Sequence, residues 1–355
     1  MKENFEILDH HIRKNNLFNG NLLVARKDEV IYQGSFGYTY GSRQKELINY
    51  DTIFELASVS KHFTAYATLV AFKAAQVNID DDIRTLIHDF PYKNISTRNL
   101  LNHTSGLPDY FSLLDENWNK NKIACNKDVL DLIIKVNPKI NFLPNEKWEY
   151  SNTGYVLLAS LIEVISGTSF TEFLDETIFK PLNMHNSFVY NRRLNPEEIN
   201  NYAFGTVFNE TKSIFELPDN ISDYNAVFYL DGIQGDGAVN STISDLLKWN
   251  NEILNSSILD GRLVDIMLSN TQIQHNEKVE YGMGWIIHDD SEVGKIVYHG
   301  GSWPGYSTYN SIYLDEGYSI VSLCNQTKNL AIEQQIIIAM EKILFDKPFE
   351  LPNIE

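Results

Sequence analysis

The chain reads as an α+β protein: an antiparallel sheet drawn from both chain ends, flanked by helices, with a mainly helical domain inserted between the two halves. Three observations predict this. Short β-rich runs lie near the start, at 20–26 and 30–34, and again near the end, between 281 and 323. The stretch between them is dominated by apolar residues at 3.6-residue spacing. Strands and helices segregated in this way pack as a sheet covered by helices, not as alternating βαβ units. The expected division is a discontinuous sheet domain, 1–57 and 272–355, and a helical domain, 58–271, with a site where they meet.

In chain order, residues 1–16 are polar with Phe5, Leu8 and Ile12 on one helical face. The runs 20–26 and 30–34 flank the polar turn Lys27-Asp28-Glu29, a hairpin signal, and 35–40 continues the second strand. After 51–55, Phe63, Tyr66, Ala67, Val70 and Ala71 recur at helical spacing with no Gly or Pro among them. Asp80, Asp81 and Asp82 precede Ile83, Leu86 and Ile87, which reads as a capped helix start more economically than as an acidic metal cluster. The segment 100–108 ends a helix, and a His103–Ser105 hydrolase pair is a poorer account of it than a turn built on Gly106 and Pro108. Helical spacing returns at 128–134 and 155–165, the latter ending at Gly167, with the loop 144–154 between. Residues 191–223 are polar and read as long surface loops. The glycine-rich 232–237 lacks the Gly-Lys-Ser/Thr ending and the buried strand of a phosphate cradle. Runs at 281–287, 295–301, 306–313 and 318–323 predict a meander, and a last helix, 330–344, carries Ile332, Ile336 and Met340 on one face.

At 355 residues the chain can bury a large core, and its formal net charge of −18 argues against nucleic acid or an anionic membrane surface as partner. Its two cysteines, Cys125 and Cys324, are expected to be buried unpaired thiols. No run of eighteen apolar residues predicts a transmembrane helix, and no signal peptide precedes the first helix. That suits a cytoplasmic protein or an exported one whose signal has been removed.

The chemistry-bearing stretch is Ser58-x-x-Lys61. On a helix, i and i+3 share a face, so the serine hydroxyl and the lysine amine can meet. Burial and nearby positive charge free a lysine amine to take a serine proton. The pattern is short, and Ser42-x-x-Lys45 repeats it in a polar, glycine-led stretch that reads as solvated loop. Tyr150-x-Asn152 places a phenol and an amide two residues apart, on one side of an extended loop. Tyr92-x-Asn94 shows that chance yields this pattern too, and a buried tyrosine beside a helix-capping asparagine is the plainer account. An α/β-hydrolase would need Gly-x-Ser-x-Gly, which 300–304 fails at Pro304. Neither His-x-His-x-Asp nor His-Glu-x-x-His occurs among the nine histidines. No metal or other cofactor is expected.

Ser58-x-x-Lys61, Tyr150-x-Asn152 and His299-Gly300-Gly301, in that order, resemble the serine β-lactamase and penicillin-binding-protein-like superfamily, in particular its class C-like branch of DD-peptidases, D-aminopeptidases and esterases. The resemblance runs from 20–24 through 102–107 and 235–238 to 281–285. It implies a β-lactamase/transpeptidase-like fold and an acyl-enzyme formed on Ser58, with Lys61 and Tyr150 sharing the proton work. It further implies that Asn152 holds the substrate, that the N–H groups of Ser58 and Ser302 form the oxyanion hole, and that His299, Gly300 and Gly301 line the substrate strand. His299 and Gly300 depart from the lysine-threonine-glycine form of β-lactamases. A mostly neutral imidazole and a missing hydroxyl hold a substrate carboxylate poorly, which favours a peptidase or esterase acting on a small ester or a D-amino-acid-containing peptide. The alternatives are a non-enzymatic penicillin-binding or sensor protein with negligible turnover, and a weak class C-like β-lactamase. Loops at 110–121 and 191–223 are expected to shape the pocket. Their aromatics Tyr110, Phe111, Trp118 and Tyr202 suit an apolar substrate group or simple packing.

Overall fold

The structure, a computed structural model, describes residues 1–40, 46–195, 197–327 and 330–353. The second serine-lysine copy, Ser42 to Lys45, lies outside the described residues. Six strands make the main sheet: β1 (Gly20–Arg26), β2 (Glu29–Phe36), β3 (Ile286–Asp290), β4 (Gly294–Trp303), β5 (Tyr306–Tyr313) and β6 (Tyr318–Cys324). Their order is β3-β4-β5-β6-β1-β2, antiparallel throughout, so the two chain ends meet where β1 pairs with β6 in the register Leu22↔Ser322. The longer helices are α1 (Lys2–Asn15), α2 (Lys61–Ala74), α3 (Asn126–Val136), α4 (Asn152–Ser166), α5 (Ile243–Asn255) and α6 (Leu330–Leu344).

The pleat divides the core. Alternate strand residues face opposite sides, so Leu22, Val24 and Ile320 join Phe5, Leu8, Ile12, Ile336 and Met340 under α1 and α6. Leu23, Val321 and Leu323 face the larger cluster that carries Phe63, Leu158 and Trp249 from α2, α4 and α5. The one-faced patterns of the first and last helices are thus the patterns of sheet-covering helices. At the centre of the helical part, α4 is buried from Thr153 to Ile162 and ends on Gly167 at φ 73, a left-handed cap that glycine adopts without steric cost. It packs against α2, and this pairing brings Asn152, its first residue, to Lys61, the first residue of α2.

Several expectations need correcting. The Asp80–Asp82 run caps only a 3₁₀ turn, Ile83–Thr85, because the Asp82 carboxylate accepts N–H bonds from both Arg84 and Asn94 and folds the chain back. Residues 110–117 form a helix, Tyr110–Asn117, and the polar region after 191 contains strands Thr206–Asn209 and Ile214–Glu216. The strand expected over 281–287 starts only at Ile286: Gly284 turns the chain at φ 79, while Tyr281, Met283 and Trp285 are buried. The second strand ends at Phe36, short of residue 40. Cys324 is buried and Cys125 is exposed, and both are free thiols. No group of metal-ligating side chains occurs among the described residues, and no single helix there is long and apolar enough to cross a membrane.

Candidate active site

Ser58 lies not on a helix but on a 3₁₀ turn, Ala57–Ser60, that runs directly into α2 with Lys61 as its first residue. Entry to the turn is strained: Ala57 sits at φ 47, a left-handed conformation costing an L-residue about 1–2 kcal/mol. Three bonds hold the turn in place. Leu56 N–H donates to Val239 O at 2.9 Å, the Thr308 hydroxyl on β5 donates to Leu56 O at 2.7 Å, and Val239 N–H donates to Ser60 Oγ at 3.1 Å.

Lys61 is fully buried and its ammonium is matched on all three N–H bonds. Nζ donates to Ser58 Oγ at 3.1 Å, to Asn152 Oδ1 at 2.9 Å and to the carbonyl of Asp236 at 2.7 Å. Asn152 reaches it as the first residue of α4, whose N-cap is Ser151, accepting from Gly154 N–H at 3.2 Å. The Tyr150 ring centre lies 5.0 Å from Lys61 Nζ, and Tyr150 is 38% exposed, so the buried tyrosine of the plainer account is excluded. Ser58, Tyr150 and Asn152, up to ninety-four residues apart, thereby surround the Lys61 ammonium.

The strand β4 passes the serine turn. A Cβ on Gly301 would stand 2.3 Å from Leu56 O and 3.1 Å from Ser58 N, which is why no side chain fits there. A Cβ on Gly300 would meet only Thr308 O, at 3.8 Å. Ser302 and Trp303 continue along the same edge into an open cleft of about 570 Å³, counted to its solvent mouth, which Ser58, Asn152, Tyr110 and Phe111 also line. Tyr110 and Phe111 are thus pocket residues. Trp118 instead gives its indole N–H to Lys122 O, and Tyr202 gives its hydroxyl to Asn240, away from the cleft.

His299 is buried, and burial, with the Lys61 charge adding, pushes its imidazole down to about 3. It is therefore neutral at pH 7, as the sequence led one to expect. The cleft wall carries three carboxyl groups that sequence reasoning missed, Glu55, Asp231 and Asp236. Burial, then the Asp231 carboxylate, pushes Glu55 up to about 7 against the pull of Arg193 and Arg192. Burial also raises Asp236, opposed by the Lys61 charge and by the bond it accepts from the Tyr110 hydroxyl at 2.9 Å. Asp231 is paired with Arg193 at 2.7 Å. Asp236 had a visible signal in the Gly235-Asp236-Gly237 stretch; Glu55 and Asp231 had none.

The chain matches the family model described as Beta-lactamase over residues 6–343. It is 39% identical over 352 residues to penicillin-binding protein 4* of Bacillus subtilis (strain 168), covering 99% of this chain and 78% of that protein. Among solved structures it is similar to a penicillin-binding protein from Bacillus halodurans, with TM-score 0.80, 23% identity and coverage of 95% and 98% of the two chains. It is similar too to the D-amino acid amidase of Ochrobactrum anthropi SV3, with TM-score 0.76, 22% identity and coverage of 96% and 98%. The two structures share the fold, and the family match agrees with the geometry around Lys61: the chain belongs to the Beta-lactamase family of serine hydrolases.

Proposed function

We propose that the protein hydrolyses a small ester or a D-amino-acid-containing peptide through an acyl-enzyme on Ser58. The observation that carries this reading is the buried Lys61 ammonium, bonded at once to Ser58 Oγ and Asn152 Oδ1. Ser58 Oγ bonds to the acyl carbon and passes its proton to the Lys61–Tyr150 pair, which delivers it to the departing alcohol or amine. Water then takes the place of Ser58 Oγ on the acyl carbon and restores the serine proton. The Tyr150 ring centre, 5.0 Å from Lys61 Nζ, puts the phenol within reach of the same proton. Asn152 orients the substrate, and the N–H groups of Ser58 and Ser302 stabilise the oxyanion, each worth ~3–4 kcal/mol when well placed. The penicillin-binding name of the Bacillus subtilis relative and the D-amino acid amidase title support the substrate class.

Efficient β-lactam hydrolysis fits less well. The neutral His299 supplies no fixed cation for a carboxylate, and Gly300 supplies no hydroxyl. Intact-protein mass after incubation with a penicillin, run beside p-nitrophenyl ester turnover for wild type and Ser58→Ala, tests the reading. Ser58-dependent ester cleavage is the expected result, with a long-lived penicillin adduct if the substrate is a D-amino-acid peptide. Full activity in Ser58→Ala, or silence of the wild type in both assays, overturns it.

A further inference from the structure

Between the Tyr150 segment and the substrate strand runs a buried file of hydrogen bonds whose direction is fixed at both ends. The Ser151 N–H donates to His103 Nδ1 at 3.1 Å. His103 Nε2 lies 2.9 Å from the Tyr281 hydroxyl, that hydroxyl lies 3.2 Å from His299 Nε2, and His299 Nδ1 lies 2.6 Å from the carbonyl of Gly300. A backbone amide can only donate and a carbonyl can only accept. With both rings neutral, one arrangement alone satisfies every member: His103 carries its proton on Nε2 and gives it to Tyr281, Tyr281 gives its own to His299, and His299 carries its proton on Nδ1. Burial keeps both rings neutral, with the Lys61 charge adding to the effect on each.

His103 also grips the other side of Tyr150. Its carbonyl accepts the Glu149 N–H at 3.0 Å, so backbone and ring of one residue hold the amides on either side of the tyrosine. The ring itself lies 4.4 Å, centre to centre, from the Tyr150 ring. To do this His103 adopts φ 61, in the left-handed region that few non-glycine residues occupy. Strain of this kind persists only where the surroundings enforce it. Tyr155, the remaining phenol beside the file, gives its proton to Leu101 O at 2.7 Å and leaves its oxygen beside the Tyr281 hydroxyl.

We propose that His103 is a positioning residue for Tyr150, and that Tyr281 and His299 extend its hold to Gly300, so that the phenol and the substrate strand keep one fixed separation. This rests on the acyl-enzyme reading for its consequence but not for its existence. Two measurements separate the two. Long-range ¹H–¹⁵N spectra of the wild-type imidazoles should show His103 protonated on Nε2 and His299 on Nδ1, with neither titrating between about pH 5.5 and pH 8. Mixed tautomers, or titration of either ring in that range, overturn the proposal whatever the protein hydrolyses.

The kinetic arm compares His103→Ala, His103→Asn and Tyr281→Phe on a p-nitrophenyl ester. Asparagine tolerates the left-handed backbone and can place an acceptor near the position of Nδ1. His103→Ala should lower kcat by about a hundredfold with KM nearly unchanged, and His103→Asn should restore most of it. Tyr281→Phe, which removes the hydroxyl that takes the His103 proton and ties the file to His299, should lower kcat by about tenfold while melting cooperatively. Equal kcat for alanine, asparagine and wild type, or an unchanged kcat in Tyr281→Phe, overturns the positioning role. Should His103→Ala not fold, the asparagine and phenylalanine variants decide.

Discussion

Adjacent glycines on β4 have opposite constraints. Gly301→Ala must drive a methyl into Leu56 O and the Ser58 amide, displacing the turn that carries the nucleophile. A misplacement of about 1 Å costs roughly a hundredfold in rate, so this variant should fold yet lose ester turnover, as circular dichroism and kinetics together would show. Gly300 has room, so Gly300→Thr should keep stability within about 0.5 kcal/mol. Its new hydroxyl should speed the formation of a penicillin adduct, read by intact mass over time. The pairing of Ser58 with Lys61 was legible because three-residue spacing survives the change from 3₁₀ turn to helix. The left-handed Ala57 was not, since alanine carries no mark of a positive φ. His103 read as a turn residue because its meaning depends on Tyr281, 178 positions away.

The nucleophile turn is held by elements far apart in sequence, and its stability depends on their side chains. Thr308→Val on β5 keeps the shape and removes the hydroxyl that bonds Leu56 O at 2.7 Å. The carbonyl then keeps only the Val59 N–H, at 3.2 Å, and the lost bond should cost about 0.5–1.5 kcal/mol in urea unfolding and lower kcat as well. Legibility differed by element for physical reasons. α1 and α6 each bury one face, so their periodicity shows in the residues, and β1, buried on both faces, shows as a continuous apolar run. Residues 281–285 carry the same apolar alternation but are bent by Gly284 against the Lys61 carbonyl, where a Cβ would lie 2.6 Å away. The strands at 206–209 and 214–216 are short and hold polar residues, so nothing distinguished them from loop.

At the scale of the whole molecule, burying neutral histidines makes stability depend on acid. His62 lies face to face with Trp285, ring centres 3.4 Å apart, and neither of its nitrogens has a hydrogen-bond partner among the described residues. Burial holds it well below its ordinary value, so the unfolded chain binds a proton below about pH 6.5 that the folded chain refuses. Its contribution is therefore whole above that pH and is lost as pH falls, by about 1.4 kcal/mol per unit. Buried carboxyls held above their range, Glu55 and Asp236 among them, act in the opposite sense. The clean measurement is thus a difference: His62→Phe should unfold less readily than wild type below pH 6.5, with the gap widening by that slope as pH drops. Fold class could be read from where strands and helices lie along the chain, whereas this acid sensitivity needed the packing around one ring. The junction of β1 with β6 has a consequence for synthesis. A ribosome adding about 5–20 residues per second delivers the partner of Leu23 roughly 15–60 s after Leu23 itself. For that time the first hairpin presents an unpaired apolar edge, and anything that shields nascent strands from one another should set how much of the chain reaches its folded state.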